Sequence, residues 1–423
     1  MDVHLALCCT RCADIRVRIR IPGSIVVSDE GQDTSIHARY VPKIELLKVA
    51  ADRSLMSSAS HSATATTNKK KQVAITEVHA CPTPGDCPLL LYRCLIHHLQ
   101  PGTSYTARIS CSRDCDTTYE TISFTTLDDA DLGRRRLRLG ILTDLHINNH
   151  KHASDGKRLY KSAKMLAAKY LKKLICQHRT DLILLPGDLV DTGSIGELHA
   201  AANILKAARK LDSGVGIHAV IGNHEADKEK FAKILVSESP RLGYYCITPP
   251  DSGVHLIMLA TDEQNSLDEG TAQLRWLKND LEVATASSEI DIILLFMHYS
   301  LMLHPLHNEG AWDDDLQLLD NSEGLLKLIR SHSKVKAVVC GHKNVPSALV
   351  DQAGILHTLS PQLMKTPCGY DVFDVHEHGL LRAVHEIEEM DLQEVSRQAA
   401  GEQETRERWG ELNHRSMKFI WGR

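Results

Sequence analysis

No apolar run in the 423-residue sequence approaches the ~18–20 residues that a membrane-crossing helix needs. Excess positive charge is also missing. The formal net charge is −5, which is not the signature of a chain that binds nucleic acid or another polyanion. The opening stretch, "MDVHLALCCTRCADIRVRIR", lacks leading positive charges and carries only a short apolar patch, so it makes a poor signal peptide. Together these absences lead us to expect no membrane span, no nucleic-acid partner and a cytoplasmic location, with secretion as the alternative.

What is present is an ordinary globular composition, 43% hydrophobic and 24% charged, with enough length for two or three domains. The 12 cysteines are uneven: eight lie between Cys8 and Cys115, while Cys176, Cys246, Cys340 and Cys368 are scattered. Three readings stay open for the early group. They are free thiols, disulfides around "CPTPGDC" and "CSRDC", or a zinc site from Cys81, Cys87, Cys111 and Cys115, although that spacing fits no common zinc pattern.

The first 126 residues lack long helical periodicity. "RVRIRI" and "TISFTT" alternate at period two and read as strands, and "SSASHSATATTNKKK" reads as a loop. In "HHLQPGTSYTARISC" a Pro101-Gly102 turn leads into a strand with Tyr105, Ala107, Ile109 and Cys111 on one face. A leucine, a Pro-Gly turn and a tyrosine entering a strand resemble the late strands of fibronectin type III-like sandwiches, with Tyr105 packing the corner. Residues 127–136 read as a linker.

From Leu137 the pattern becomes strand, loop and helix in repetition, which indicates an α/β layered fold. The expected strands are "LRLGIL", "DLILL", "GIHAVI", "VHLIMLA", "DIILLFM" and "VKAVVC", followed by "GILHTLS", "GYDVFDV" and "LLRAVHEI". The helices between them are expected over 156–178, Ile195–Leu211, Ala226–Val236, "TAQLRWLKNDLEVA" and "SEGLLKLIRSHS". The tail, 390–423, reads as a charged helix whose apolar end, Phe419 to Trp421, docks on the body.

The residues just after the strands are polar in a consistent way. Asp144 and His146 follow the first strand, Asp188 the second, Asn223 and His224 the third, His298 the fifth, and His342 and Asn344 the sixth. Ligand sites in α/β sheets lie outside the carboxyl ends of the strands. Taken singly, each motif has a bland explanation: a turn, a rim histidine or a chance Asp-x-His. Taken in order, they supply the bridging carboxylate, imidazoles and oxygen donors that a two-metal cluster needs. His150, His152, His304 and His307 either line a cleft or sit in solvent-exposed loops.

The ordered set "DLH…GD…GNHE…H…GHKN" resembles the calcineurin-like metallophosphoesterase superfamily over roughly 137–387. "GDLVDTG" and "QLRWLKNDL" are similar to that family's usual sequence. The resemblance implies an αββα two-sheet sandwich, here over 137–389 and preceded by the small all-β sandwich domain of 1–126. It also implies two divalent metal ions and hydrolysis of a small-molecule phosphate mono- or diester by a metal-bridging hydroxide. On that resemblance Asp144 and His146 match ligands of the first metal. Asp188 matches the bridge, and Asn223, His298 and His342 match ligands of the second metal. His224 matches the residue that assists the leaving group. The nitrogen and oxygen donors suit Mn, Fe, Zn, Co or Ni. Asn344 departs from the pattern, because the family usually has a histidine there. It is expected as a weaker, harder ligand of the first metal. The competing reading is a non-catalytic metal-binding or scaffold protein with a degenerate first site.

Overall fold

The structure is a computed structural model that describes residues 2–8, 13–20, 43–48, 73–81, 89–96, 98–113, 116–149, 158–225, 228–235, 243–261, 267–304, 319, 321–410 and 412–422. The chain divides into two compact units. Met1–Asp131 with Glu388–Glu394 forms one, and Leu132–Ile387 with Val395–Arg423 forms the other.

The first unit contains two antiparallel sheets. One runs β1 (Asp2–Cys8), β2 (Ala13–Arg20), β5 (Leu89–Ile96), β4 (Val73–Cys81) in spatial order. The other runs β3 (Lys43–Lys48), β6 (Ser104–Arg113), β7 (Asp116–Thr125). The buried Tyr105 hydroxyl accepts a hydrogen bond from the Gln100 backbone N–H at 2.9 Å, which ties the Pro101-Gly102 turn to the strand that follows. The expected loop over 57–71 and the side chains of Cys81, Cys87, Cys111 and Cys115 lie outside the described residues.

The second unit is built on two mixed six-stranded sheets. The first has the order β10 (Gly216–Val220), β9 (Leu182–Pro186), β8 (Arg135–Ile141), β17 (Gly369–His376), β18 (Gly379–Glu386), β19 (Ser416–Ile420). The second has the order β11 (Tyr245–Ile247), β12 (Val254–Met258), β13 (Ile292–Met297), β14 (Val335–Cys340), β16 (Leu356–Leu359), β15 (Ser347–Val350). Parallel pairing joins β8 to β9 to β10, and β12 to β13 to β14 to β16. Parallel strands are covered on both faces, which explains why "LILLP" and "IILLFM" are buried at every position rather than at alternate ones.

The helices follow the apolar periodicity. In α1 (Ala163–Lys173) the buried side is Ala163, Leu166, Ala167, Tyr170 and Leu171. In α2 (Ile195–Arg209) the Ser194 side chain accepts from Glu197 N–H, and the Glu197 carboxylate turns back to accept from the Thr192 N–H and hydroxyl. This cap fixes the turn between β9 and α2. α3 spans Lys228–Leu235. In α4 (Ala272–Ala286), capped by Thr271, the residues Leu274, Leu277, Leu281 and Ala284 share one buried face. With Leu325 and Ile329 of α5 (Ser322–Arg330), they cover Ile293, Leu295 and Val338 of the second sheet.

Several elements differ from expectation. The helix expected over 156–178 breaks into a 3-10 turn (Tyr160–Ser162), α1 and a π turn (Leu174–His178), while Arg158 forms an isolated bridge to Lys365. The tail is not one helix. A first helix, α6 (Met390–Trp409), is interrupted at Gly401, whose φ is 84°, and a short α7 (Leu412–Arg415) precedes β19. β19 then pairs antiparallel with β18, Phe419 opposite Leu380. Among the described residues, no helix is long and apolar enough to cross a membrane.

Candidate metal centre

Asp144 and His146 follow β8, Asp188 follows β9, and Asn223 and His224 follow β10. His298 follows β13 of the other sheet, and His342 and Asn344 follow β14. Thus the carboxyl ends of the parallel strands of both sheets deliver these side chains. The turns that carry them are backbone-strained. Asp144, His146, Asp188, His342 and Asn344 have φ of 52°, 39°, 51°, 66° and 59°, a region that side chains other than glycine seldom adopt. Such strain persists only where the surroundings over-determine it, and it gathers at functional sites.

The surroundings here do so. Asp144 Oδ2 accepts from the Thr143 hydroxyl (2.6 Å) and from His342 N–H (3.0 Å), joining the β8 and β14 loops. Asp188 Oδ1 accepts from His224 N–H at 3.0 Å. The buried Glu225 carboxylate accepts from the backbone N–H groups of Asp188 (3.1 Å), Val190 (3.0 Å) and Gly222 (2.7 Å). Gly341 lets two of these loops meet: a Cβ there would collide with Thr143 Oγ1 and lie 2.8 Å from Asp144 Oδ2.

The donor atoms converge. His298 Nε2 lies 2.9 Å from Asn223 Oδ1, 3.2 Å from Asp188 Oδ2 and 3.2 Å from His342 Nδ1. Ligands held about 2.1 Å from one ion sit about 3 Å from each other, so these spacings are those of one coordination shell. On the other side of Asp188, His146 Nε2 lies 3.9 Å from Asp144 Oδ1 and 4.0 Å from Asp188 Oδ2, fully buried and without a hydrogen-bond partner. A buried imidazole nitrogen facing two carboxylates, with no partner of its own, suits a cation. The ligating atoms of Asp144, His146 and Asp188 form one group able to hold a metal ion, and those of Asp188, His298 and His342 form another. The two groups share Asp188, and the donor chemistry fits a pair of divalent cations.

The electrostatics agree. Burial opposes ionisation of Asp188, yet His298, His146 and His224 hold its carboxyl well below the usual carboxylate range. Burial likewise opposes charge on His298, and Asp188 with Asp144 outweighs it, raising the imidazole to about 9. His342 is pushed down to about 2, first by burial and then by His298. Burial also lowers His146. Burial and the Asp188 carboxylate push Glu225 up to about 8, against the pull of its N–H donors.

Residues 137–346 match the family described as Calcineurin-like phosphoesterase. The chain carries a calcineurin-like phosphoesterase domain. It is a hydrolase acting on phosphoric ester bonds. A curated relative from Ruthia magnifica subsp. Calyptogena magnifica, described as a probable cyclic nucleotide phosphodiesterase, is 23% identical over 248 residues, which are 57% of this chain and 94% of that protein. Among solved structures, a dimetal phosphatase from Danio rerio is 17% identical, with a TM-score of 0.47, over 60% of this chain and 97% of that one. Astrotactin-2 is 12% identical, with a TM-score of 0.19, over 48% of this chain and 28% of that one. At these scores the structural likenesses do not establish a shared fold.

Of the remaining histidines, His304 is buried, with Nδ1 2.9 Å from the Ser347 hydroxyl, so it packs in the interior. His150, His152 and His307 lie outside the described residues. Asn344 is also buried. Its amide Nδ2 donates to the His342 carbonyl at 2.9 Å, while its Oδ1 has no partner.

Two residues outside the ordered set of candidate ligands also stand at this centre. Glu225 is one. Asp191, in "GDLVDTG", is the other: its Oδ1 lies 3.2 Å from His146 Nδ1, and its carbonyl accepts from His224 Nδ1. Asp191 thereby lies against two imidazoles, whose rings meet edge to face at 4.7 Å. A carboxylate behind a metal-binding histidine fixes its tautomer and raises its basicity. Asp191→Asn is therefore expected to weaken metal binding about 10–100-fold while the chain stays folded. Metal titration followed by activity checks this. An unchanged titration curve would remove Asp191 from the centre.

Proposed function

We propose that the domain hydrolyses a small phosphate ester, with a phosphodiester of the cyclic nucleotide class as the first candidate and a monoester as the second. The observation that carries the hydrolytic centre is the convergence of His298, His342, Asn223 and Asp188 donors at 2.9–3.2 Å. The diester preference rests on the Ruthia relative, a probable cyclic nucleotide phosphodiesterase, 94% of which aligns with this chain. Asp144, His146 and Asn344 would hold a first divalent ion, Asn223, His298 and His342 a second, and Asp188 both. Mn, Fe, Zn, Co or Ni would suit the donors. Two bound ions supply Lewis acidity toward phosphoryl oxygens and lower the pKa of water toward neutrality.

His224 is the proton donor in this reading. Its Nδ1–H is engaged by the Asp191 carbonyl, so Nε2, 3.8 Å from Asp188 Oδ2, is the nitrogen that reaches substrate. The ring is 29% exposed, unlike the buried ligand histidines His146 and His298, which leaves it open to a leaving group. A protonated Nε2 donates to the departing oxygen. A scaffold without catalysis would have no use for this exposed and oriented imidazole.

The same reading takes 137–389 as an αββα catalytic domain. It takes 1–126 as a fibronectin type III-like sandwich, 127–136 as linker and 390–423 as a docking tail. A cytoplasmic setting goes with it, supported by the free thiols of Cys176, Cys246 and Cys340. Turnover of a panel of mono- and diesters by metal-loaded protein tests the substrate class. Activity confined to monoesters would sink the diester preference.

Asn344 sets the relative strength of the two sites. An amide oxygen is a neutral, hard donor, so the first site should favour Mn²⁺ or Mg²⁺ over Zn²⁺. Asn344→His is expected to raise affinity there and to reduce dependence on added Mn²⁺. Identical titration and activation curves for wild type and variant would mean that Asn344 does not touch metal.

A further inference from the structure

A second donor cluster lies away from the catalytic centre. Cys246 is on the edge strand β11, His255 near the start of β12, and Asp280 on α4. Cys246 pairs with Ile257 in the antiparallel register, so His255 is its diagonal neighbour on the same face, within reach of an imidazole ring. The Sγ, imidazole and carboxylate atoms all lie within 4.8 Å of one another. His255 Nε2 is 2.9 Å from Asp280 Oδ2, and its Nδ1 is 2.7 Å from the Thr248 hydroxyl. His255 is buried, whereas Cys246 is exposed, so the cluster has a firm inner wall and an open outer side.

We propose that Cys246, His255 and Asp280 form a separate zinc-class metal site, with one coordination position left to solvent. The donors are one thiolate, one imidazole and one carboxylate, a borderline set that selects Zn²⁺ or Co²⁺ over Mg²⁺ or Ca²⁺. Thr248 occupies the Nδ1 side of the His255 ring, so Nε2, on the Asp280 side, would be the ligating nitrogen. On binding, the Cys246 S–H bond breaks, a sulfur–metal bond forms and the proton leaves to water. No electron is transferred. Two anionic ligands and one divalent cation then sum to zero charge.

The ion would pin a three-residue edge strand, β11, to α4. It would also sit far from catalysis. β12 runs from His255 toward Thr261, whose hydroxyl accepts from the His298 N–H. A rise of about 3.3 Å per residue separates the two ends by roughly 20 Å.

Cobalt tests this in the full chain, because only a thiolate-bound Co²⁺ gives the sulfur-to-metal charge-transfer band, and none of the proposed catalytic ligands is a cysteine. Chelator-treated protein titrated with Co²⁺ should show the band. Cys246→Ser should lose it, and His255→Gln should need at least about tenfold more cobalt. Asp188→Asn should keep it, so failure at the catalytic centre and failure here are told apart. Zinc should also slow iodoacetamide labelling of Cys246 in the wild type by about tenfold or more, read by peptide mass, which needs no variant. Absence of the band in the wild type, an equal band in Cys246→Ser, or labelling unaffected by zinc would overturn the site.

Discussion

Asp188→Asn is expected to abolish turnover and strip the centre of metal. Asp188 is the one residue shared by the two donor groups. Its Oδ2 lies within 3.2 Å of His298 Nε2 and 4.0 Å of His146 Nε2, so one carboxylate faces both sides. An amide keeps the shape and loses the charge that offsets two cations. Amide substitution also places an NH₂ toward an imidazole nitrogen or toward the His224 N–H, where an acceptor is needed. Elemental analysis together with turnover measures the result. Near-normal turnover with two metals bound would contradict the dinuclear assignment.

His224→Ala is expected to keep its metal and slow turnover by roughly 10²–10⁴-fold, the range of a lost general acid. The ring is not among the tightly spaced donors around His298. It stands partly exposed, oriented by Asp191. The loss should shrink for esters with good leaving groups, because those oxygens depart without a proton. An equal loss across leaving groups would assign His224 to substrate positioning instead.

The gathering of these side chains was legible in the sequence because of how the parallel strands end. Each candidate ligand comes within a few residues of the end of an apolar run, as Asp188 does two positions after "LILLP" and His298 directly after "IILLFM". Strand polarity then places them at one rim. What could not be read depends on contacts between distant residues. Asp191 sits three positions after Asp188 in a turn where an aspartate is ordinary, and only its 3.2 Å approach to His146 marks it. The Glu225 carboxylate is visible in the motif, but its three backbone donors come from two separate loops. The short edge strands β11, β15 and β19 carry too little periodicity to register. Their pairing is decided by the neighbouring strand. The Arg158–Lys365 bridge broke an otherwise continuous helical pattern for the same reason.

Stripping the protein with a chelator and restoring divalent metal, while following phosphodiester hydrolysis and bound metal together, tests the central claim most directly. Turnover should vanish on removal and return in step with filling of the second equivalent at the Asp188 centre, as judged against Asp188→Asn. Hydrolysis that persists undiminished in the metal-free protein would contradict it.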